Sequence, residues 1–259
     1  MSTRKFIRNF YINVAIFFKK VKPGIHILNS HYVTPNEHNV EIDIKEFEQY
    51  LQYLNKKGRF INLEEATFKI INNDIPKDET LISFSFDDGF EECYTVIAPL
   101  LEKYNCRGAF FINANYIDSD LVYQNEFNKR IVISTKKPMT WLQVKDLHSR
   151  GHLIGSHNLD HTNFEFLNED EIENQLKINK EILEKNLNYN CEYFAWTYGQ
   201  IKHFPKSALE VSLKYYKYIY SGTNYKKYFS YDGKVLNRRH HEAFWSKPHL
   251  KYFLSFEKK

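Results

Sequence analysis

Apolar positions along the chain fall into short continuous runs separated by longer stretches of helical periodicity, which predicts strands alternating with helices. Gly24 to Val33 contains an apolar stretch, GIHILNSHYV. Ile44 to Lys57 reads as a helix with Phe47, Leu51 and Leu54 on one side. Leu81 to Phe86, LISFSF, is a strand ending in Asp87-Asp88-Gly89. Glu91 to Tyr104 is a helix carrying Val96, Ile97, Leu100 and Leu101, and Ala109 to Ala114 is the next strand. Trp141 to Arg150 is a short helix with Gly151 at the usual C-terminal stop. His152 to Ser156 is a strand leading into His157. Glu169 to Leu187 is a long charged helix whose inner stripe, Ile172, Leu176, Leu183 and Leu187, is weakened by Asn179. Tyr193 to Thr197, Lys217 to Ser221 and Val235 to Arg238 complete the strands, and Lys206 to Tyr216 the helices. Asn115 to Pro138 follows a strand without clear periodicity and reads as a rim insertion. Strands separated by helices imply a parallel sheet, open or closed into a barrel, with the chemistry on the loops after the strands.

The first 22 residues stand apart. Phe6, Ile7, Phe10, Tyr11, Val14, Phe17, Phe18 and Val21 form one helical stripe, and Arg4, Lys5, Arg8, Lys19, Lys20 and Lys22 flank the run Phe10 to Phe18. The run is too short to span a bilayer and lacks a small-residue cleavage site. The pattern favours a helix docked on the domain or on a second subunit, with a helix lying on an anionic membrane as the second reading. It divides the chain into a basic amphipathic segment, 1–22, and a single domain, 23–259.

Composition narrows the class. The chain has 259 residues, 42% hydrophobic and 26% charged, as expected of one large α/β domain. The net charge of +4 is dispersed, which does not suggest nucleic-acid binding. Cys93, Cys106 and Cys191 are odd in number and show no CxxC spacing, so a reducing compartment fits best.

Two motifs carry candidate chemistry. Two adjacent carboxylates after an apolar strand are costly unless something pairs with them, although such a triplet is commonly a turn or helix cap. His157 and His161 follow a second strand, and a spacing of four lets two imidazoles converge on one metal if the segment turns like a helix. Together the motifs offer two histidines and a carboxylate, with positions left for water and substrate. The remaining aspartate then has the role of a general base.

SFSFDDGF, followed by GSHNLDH, resembles the polysaccharide deacetylases of the NodB homology family, carbohydrate esterase family 4. HILNSHYV, INLEEA, PLLEKYNCRGAFFI, MTWLQVKDLHSRGHLIGSH and FAWTYG are similar to the family's other segments, from Gly24 to Gly199 and more loosely to Arg239. The resemblance implies a distorted (β/α) barrel with a metal at the strand C-terminal ends. It implies Asp88, His157 and His161 as ligands, with Zn²⁺ the default and Co²⁺, Ni²⁺ or Fe²⁺ admissible. It makes Asp87 the base and the Tyr198 backbone N–H an oxyanion donor. Thr197 replaces the family's usual proline, and the late Asp-x-x-x-Trp-like and Leu-x-His motifs are not evident. VLNRRHHEAF lies where the last barrel strand ends and resembles a subgroup with arginine there. Arg238 or Arg239 is therefore a candidate partner for Asp87, and His240 or His241 a candidate acid. Strand alternation from Val235 favours Arg238 and His240. Trp196 and Trp141 are candidates for stacking on a sugar, though packing in the core is their commoner role.

The expected activity is removal of an N-acetyl group from an amino-sugar glycan or its precursor: a glycan, a lipid-linked saccharide or a sugar nucleotide. Removal of a formyl group by the same machinery, a non-catalytic carbohydrate-binding relative and an assembly partner in a membrane-bound glycan complex are the rival readings. Retention of both aspartates argues against the pure binder. The expected location is cytoplasmic, peripheral to the inner face of the membrane through the N-terminal segment.

Overall fold

The computed structural model describes residues 19–132, 134–224 and 226–258. The amphipathic stripe proposed for the N-terminal segment lies almost wholly outside them. Eight α-helices and ten strands are described. The strands are β1 (Gly24–Ser30), β2 (Arg59–Phe60), β3 (Thr80–Asp88), β4 (Ala109–Ile112), β5 (Leu153–Ser156), β6 (Tyr193–Ala195), β7 (Tyr218–Ser221), β8 (Phe229–Ser230), β9 (Val235–Asn237) and β10 (Arg239–His240). The helices are α1 (Val40–Asn55), α2 (Leu63–Ile71), α3 (Ala98–Lys103), α4 (Leu121–Ile131), α5 (Trp141–Ser149), α6 (Glu169–Leu187), α7 (Lys206–Tyr215) and α8 (Lys247–Leu254). A π-helical stretch, Cys93–Ile97, leads into α3.

The sheet runs β10-β1-β3-β4-β5-β6-β7-β9-β8, with β2 beside β3, and is parallel except where β8 meets β9. Its two ends are joined covalently. Asn237 of β9 pairs with Ser221 of β7, and Arg239 of β10 pairs with Leu28 of β1. Arg238 sits between, at the seam where the sheet curls into a distorted barrel. The architecture is thus the single-domain (β/α) barrel that the sequence implies.

The strands read as nearly continuous apolar runs because both faces are buried. One face, with Ile27, Leu81, Ala109, Phe111, Tyr220 and Leu236, forms an inner cluster. The other, with Ile82, Phe84, Phe86, Phe110, Ile154 and Phe194, packs against the helices. Helix α2, not read from the periodicity, adds Leu63, Ala66 and Ile70 to the inner cluster. The other elements missed were β2, β8, α4 and α8. All are short or lie in segments rich in polar residues.

Asn179 is not a defect in α6. It is fully buried and spends its amide on two strand ends. Its Oδ1 accepts from the Ala114 N–H at 2.8 Å, and its Nδ2 donates to the Ile112 carbonyl at 3.0 Å and to Ser156 Oγ at 2.7 Å. A leucine here would leave those groups unpaired in the core. The asparagine fixes the relative height of β4 and β5, immediately before His157.

Candidate active site

β3 delivers both aspartates to one place by breaking its own alternation. Successive strand residues face opposite sides, so Asp87 and Asp88 would diverge in a regular strand. The backbone instead turns left-handed at Asp88 (φ 78°) and Gly89 (φ 88°). A side chain at Gly89 would be strained twice over, since its Cβ would meet Ile117 Cδ1 at 2.9 Å.

Asp87 points inward to the barrel seam. Arg238 grips it bidentately, Nη1 to Oδ1 at 2.7 Å and Nη2 to Oδ2 at 2.8 Å, while Nη1 also donates to Ser85 Oγ and Nε to the Ser221 carbonyl. Both side chains are buried. Burial alone would raise the Asp87 carboxyl, but the Arg238 guanidinium holds it at about 2. Arg239 faces away, over the Phe253 ring. Of the two arginines named from the sequence, the structure selects Arg238.

Asp88 has the opposite surroundings. Both its carboxylate oxygens are buried without a hydrogen-bond partner, and so is His157 Nε2. The Nε2 atoms of His157 and His161 stand 3.4 Å and 3.3 Å from Asp88 Oδ1. Burial, opposed by His31 and reinforced by the adjacent Asp87 charge, carries Asp88 up to about 7. Burial drops His157 to about 4 and His161 well below its ordinary value, leaving two neutral imidazoles. His157 Nδ1 donates to the Ala195 carbonyl at 2.7 Å, which turns the Nε2 lone pair toward Asp88. The buried Asp88 carboxylate, which accepts no hydrogen bond, and the Nε2 atoms of His157 and His161 form a donor set that a divalent cation fits.

The two histidines converge without the helical turn expected from their spacing. Residues 157–161 form a loop with left-handed backbone at Asn158 (φ 50°) and His161 (φ 60°). The Asn158 amide donates to the Thr162 carbonyl at 2.9 Å. Thr197 Oγ donates to the same carbonyl at 2.7 Å. The threonine that replaces the expected proline thus ties the Tyr198 turn to the histidine loop. Tyr198 is itself left-handed (φ 61°), and its ring packs edge-on against His161 with centroids 4.8 Å apart.

These groups line one pocket of about 350 Å³ at the strand C-terminal ends. Arg130, Ile131 and Val132 line it too, so the rim insertion does reach the site, as the end of α4. That insertion is pinned by a buried ion pair, Lys136 Nζ to Glu92 Oε1 at 2.7 Å. Trp196 touches the pocket but is buried and stacked on Phe204, as core packing requires, and Trp141 opens α5 away from it, its backbone N–H donating to Asp118.

The last strand contributes more than the sequence suggested. His240 lines the pocket, whereas His241 is buried outside the barrel, stacked on Tyr50 of α1. Glu242 was not anticipated. It is buried and gathers four donors: Ser30 Oγ at 2.6 Å, the His31 N–H at 3.1 Å, His31 Nδ1 at 2.6 Å and His240 Nε2 at 2.7 Å. Against the desolvation of burial, Glu242 holds His31 up at about 10. The signal was present in NSHYV and RRHHEAF, but only the sheet closure brings the two segments together.

The polysaccharide deacetylase family model matches residues 74–216, more than half of the chain, a span that includes Asp87, Asp88, His157 and His161. The protein belongs to the polysaccharide deacetylase family. YxkH of Bacillus subtilis (strain 168), whose name carries the same family term, is 20% identical over 76% of this chain, which spans 65% of that relative's length. Among solved structures, the Streptococcus pyogenes deacetylase PplD, in complex with acetate, superposes with a TM-score of 0.67 at 22% identity, covering 88% of this chain and 96% of its own. IcaB from Ammonifex degensii gives 0.65 at 19% identity, over 90% and 97%. These two likenesses establish the shared fold.

Proposed function

We propose that the protein is a divalent-metal-dependent N-deacetylase acting on an amino sugar within a glycan or a glycan precursor. The observation that carries the reading is the pair of unlike aspartates. Asp88 and the two imidazoles are ready for a cation, and Asp87, one residue away, is held ionised beside them. When bound, the metal would supply Lewis acidity toward the acyl carbonyl and lower the pKa of a water molecule.

The chain's own residues divide the remaining work. Asp87 accepts the proton from the attacking water, and the Arg238 fork keeps that carboxylate charged and fixed in direction. The backbone N–H of Tyr198 faces the developing oxyanion, a role supported by the left-handed turn that packs Tyr198 on His161. The departing amine needs a proton. The sequence favoured His240 as its source. His240 and His31 each spend one ring nitrogen on Glu242, Nε2 and Nδ1 respectively, and His31 is held protonated by Glu242 and by the charges of Asp88 and Asp87. We assign the proton to His31, with Glu242 orienting its ring and His240 sharing that carboxylate. Cytoplasmic precursors at the inner membrane face, contacted through residues 1–22, complete the proposal.

The test is release of acetate from an N-acetylglucosamine oligomer by zinc-loaded protein. Loss of release after chelation and its return with Zn²⁺ are expected. Release unaffected by chelation would refute metal dependence, and no release from any N-acetylated amino sugar would refute the substrate class.

A further inference from the structure

The floor of the barrel, at the strand N-terminal ends and so opposite the pocket described above, carries a second set of polar groups that the chemistry above does not use. A hollow of about 530 Å³ lies there between the segment entering β1, the loop after α2 and the tail that follows α8. Lys22, Lys77 and Lys258 line it together with Asn73, Tyr228 and a single carboxylate, Glu257. The Lys22 N–H donates to the Leu254 carbonyl at 2.9 Å, which ties the entering segment to the end of α8. Two of the three carboxylates in the loop after α2 are already taken, Asp74 by Lys69 at 2.7 Å and Glu79 by Arg59 at 2.8 Å.

Lys258 is the group that requires an explanation. Its Nζ is buried and has no hydrogen-bond partner, lying 5.2 Å from the centroid of the Tyr228 ring. An ammonium group taken out of water without a hydrogen-bonded counter-charge is costly, and burial pushes this one down to about 7. His26 on β1 is lowered to about 3, by burial first and by the Lys258 charge second. The Tyr228 hydroxyl adds a donor. It accepts from the Ile25 N–H at 3.1 Å, which leaves its own proton to give. It comes that close because residue 24 is glycine: a Cβ there would lie 2.7 Å from the hydroxyl.

We propose that this hollow binds the phosphate group of an anion, with the Lys258 ammonium and the Tyr228 hydroxyl donating to its oxygens and the exposed Lys22 and Lys77 supplying charge beside them. Three lysines against one carboxylate favour a dianion over a monoanion, and lysine serves phosphate as a compact point charge. A phosphate oxygen gives the Lys258 amine the partner that the fold does not, and restores the charge that burial works against. The hollow is larger than one phosphate, so the group fits equally as a free ion and as the headgroup of a phospholipid. The proposal does not depend on the deacetylase reading, because the floor and the pocket lie at opposite ends of the strands.

The test titrates inorganic phosphate into the whole zinc-loaded chain at constant ionic strength and follows the Gly24 and Ile25 amides by NMR. Saturable shifts are expected. Lys258→Met should weaken binding by at least about tenfold, the worth of a charge-assisted hydrogen bond, with metal content unchanged. Lys22→Gln/Lys77→Gln alters only exposed positions, so it keeps the fold and should also weaken binding. Phosphate ligates zinc as well, so the titration is repeated on His157→Ala/His161→Ala, where the shifts at Gly24 and Ile25 should persist. Co-sedimentation with phosphatidylcholine vesicles containing phosphatidic acid separates the two sources. Sedimentation lost in Lys258→Met assigns the phosphate to a lipid headgroup, and equal sedimentation of variant and wild type assigns it to a soluble anion. A titration without saturable shifts would overturn the proposal. So would shifts unchanged in both lysine variants, or shifts that vanish in the double histidine variant.

Discussion

Two clusters of one carboxylate and two imidazoles line the same pocket, and they have reached opposite solutions. In the first, the Nε2 atoms of His157 and His161 stand 3.4 Å and 3.3 Å from Asp88 Oδ1, and neither Asp88 oxygen accepts a hydrogen bond. In the second, Glu242 takes four hydrogen bonds, two of them from the rings of His31 and His240. Both sets meet the distance requirement of a metal site. The difference is valence. A carboxylate whose lone pairs are already occupied by N–H and O–H groups has little left for a cation, and its imidazoles must carry protons to reach it. A carboxylate with empty lone pairs facing neutral imidazoles lacks only the ion. Unmet bonding capacity, more than composition, marks the candidate metal site, and saturation marks the candidate acid.

Substitutions that treat the clusters unequally test this contrast. The largest effect should come from His157→Ala/His161→Ala, which should take bound metal from one ion per chain to background by elemental analysis and abolish acetate release. Retention of metal in that variant would mean that the ion sits elsewhere, and the Glu242 cluster would be the first place to look. Asp87→Asn should keep the metal and lose about 10²–10⁴ in kcat, the usual worth of a positioned proton acceptor. Full activity would end the base assignment.

Glu242→Gln should leave metal content untouched and act through His31. The native carboxylate raises His31 from 6.5 to about 10. Its stabilisation is therefore complete below pH 6.5 and is lost as pH rises through about 10. In the variant, burial is opposed only by the charges of Asp88 and Asp87, and the protonated ring disappears at lower pH. The alkaline limb of kcat/KM should move down, and the native fall in urea midpoint between pH 7 and 10 should flatten. An unmoved limb would separate Glu242 from the proton donor. The smallest effect should belong to His240→Ala, a change of a few-fold in kcat with metal content preserved, against a far larger loss in His31→Ala. The unequal loss should be clear on an unactivated amide and shrink for a substrate with a good leaving group. If His240→Ala were the more damaging, the assignment of roles within the cluster would reverse.

The sequence by itself determined the alternation of strands and helices and the two motifs at strand ends, while the closed barrel, the candidate ligands and Asp87 as candidate base came with the family resemblance that those motifs carry. The first two are local statements: a strand pattern, a doublet at a strand end, a four-residue spacing. Even so, the spacing named a pair that converges by another backbone than expected, since His157 and His161 meet through two left-handed residues and not a helical turn. Asn179 looked like a flaw in an apolar stripe because periodicity registers polarity and cannot see the carbonyls and hydroxyl that meet it. Lys136, one of two adjacent lysines, looks solvated in sequence for the same reason, yet it is buried against Glu92. Only the tertiary structure decided between Arg238 and Arg239, sent His240 inward and His241 outward, and brought Glu242 to His31. The last depends on closing the sheet between β10 and β1, a contact between residues about 210 apart in the chain. No local pattern encodes that contact. It is fixed by the curl of the whole sheet and by the buried charges that its closure must pair.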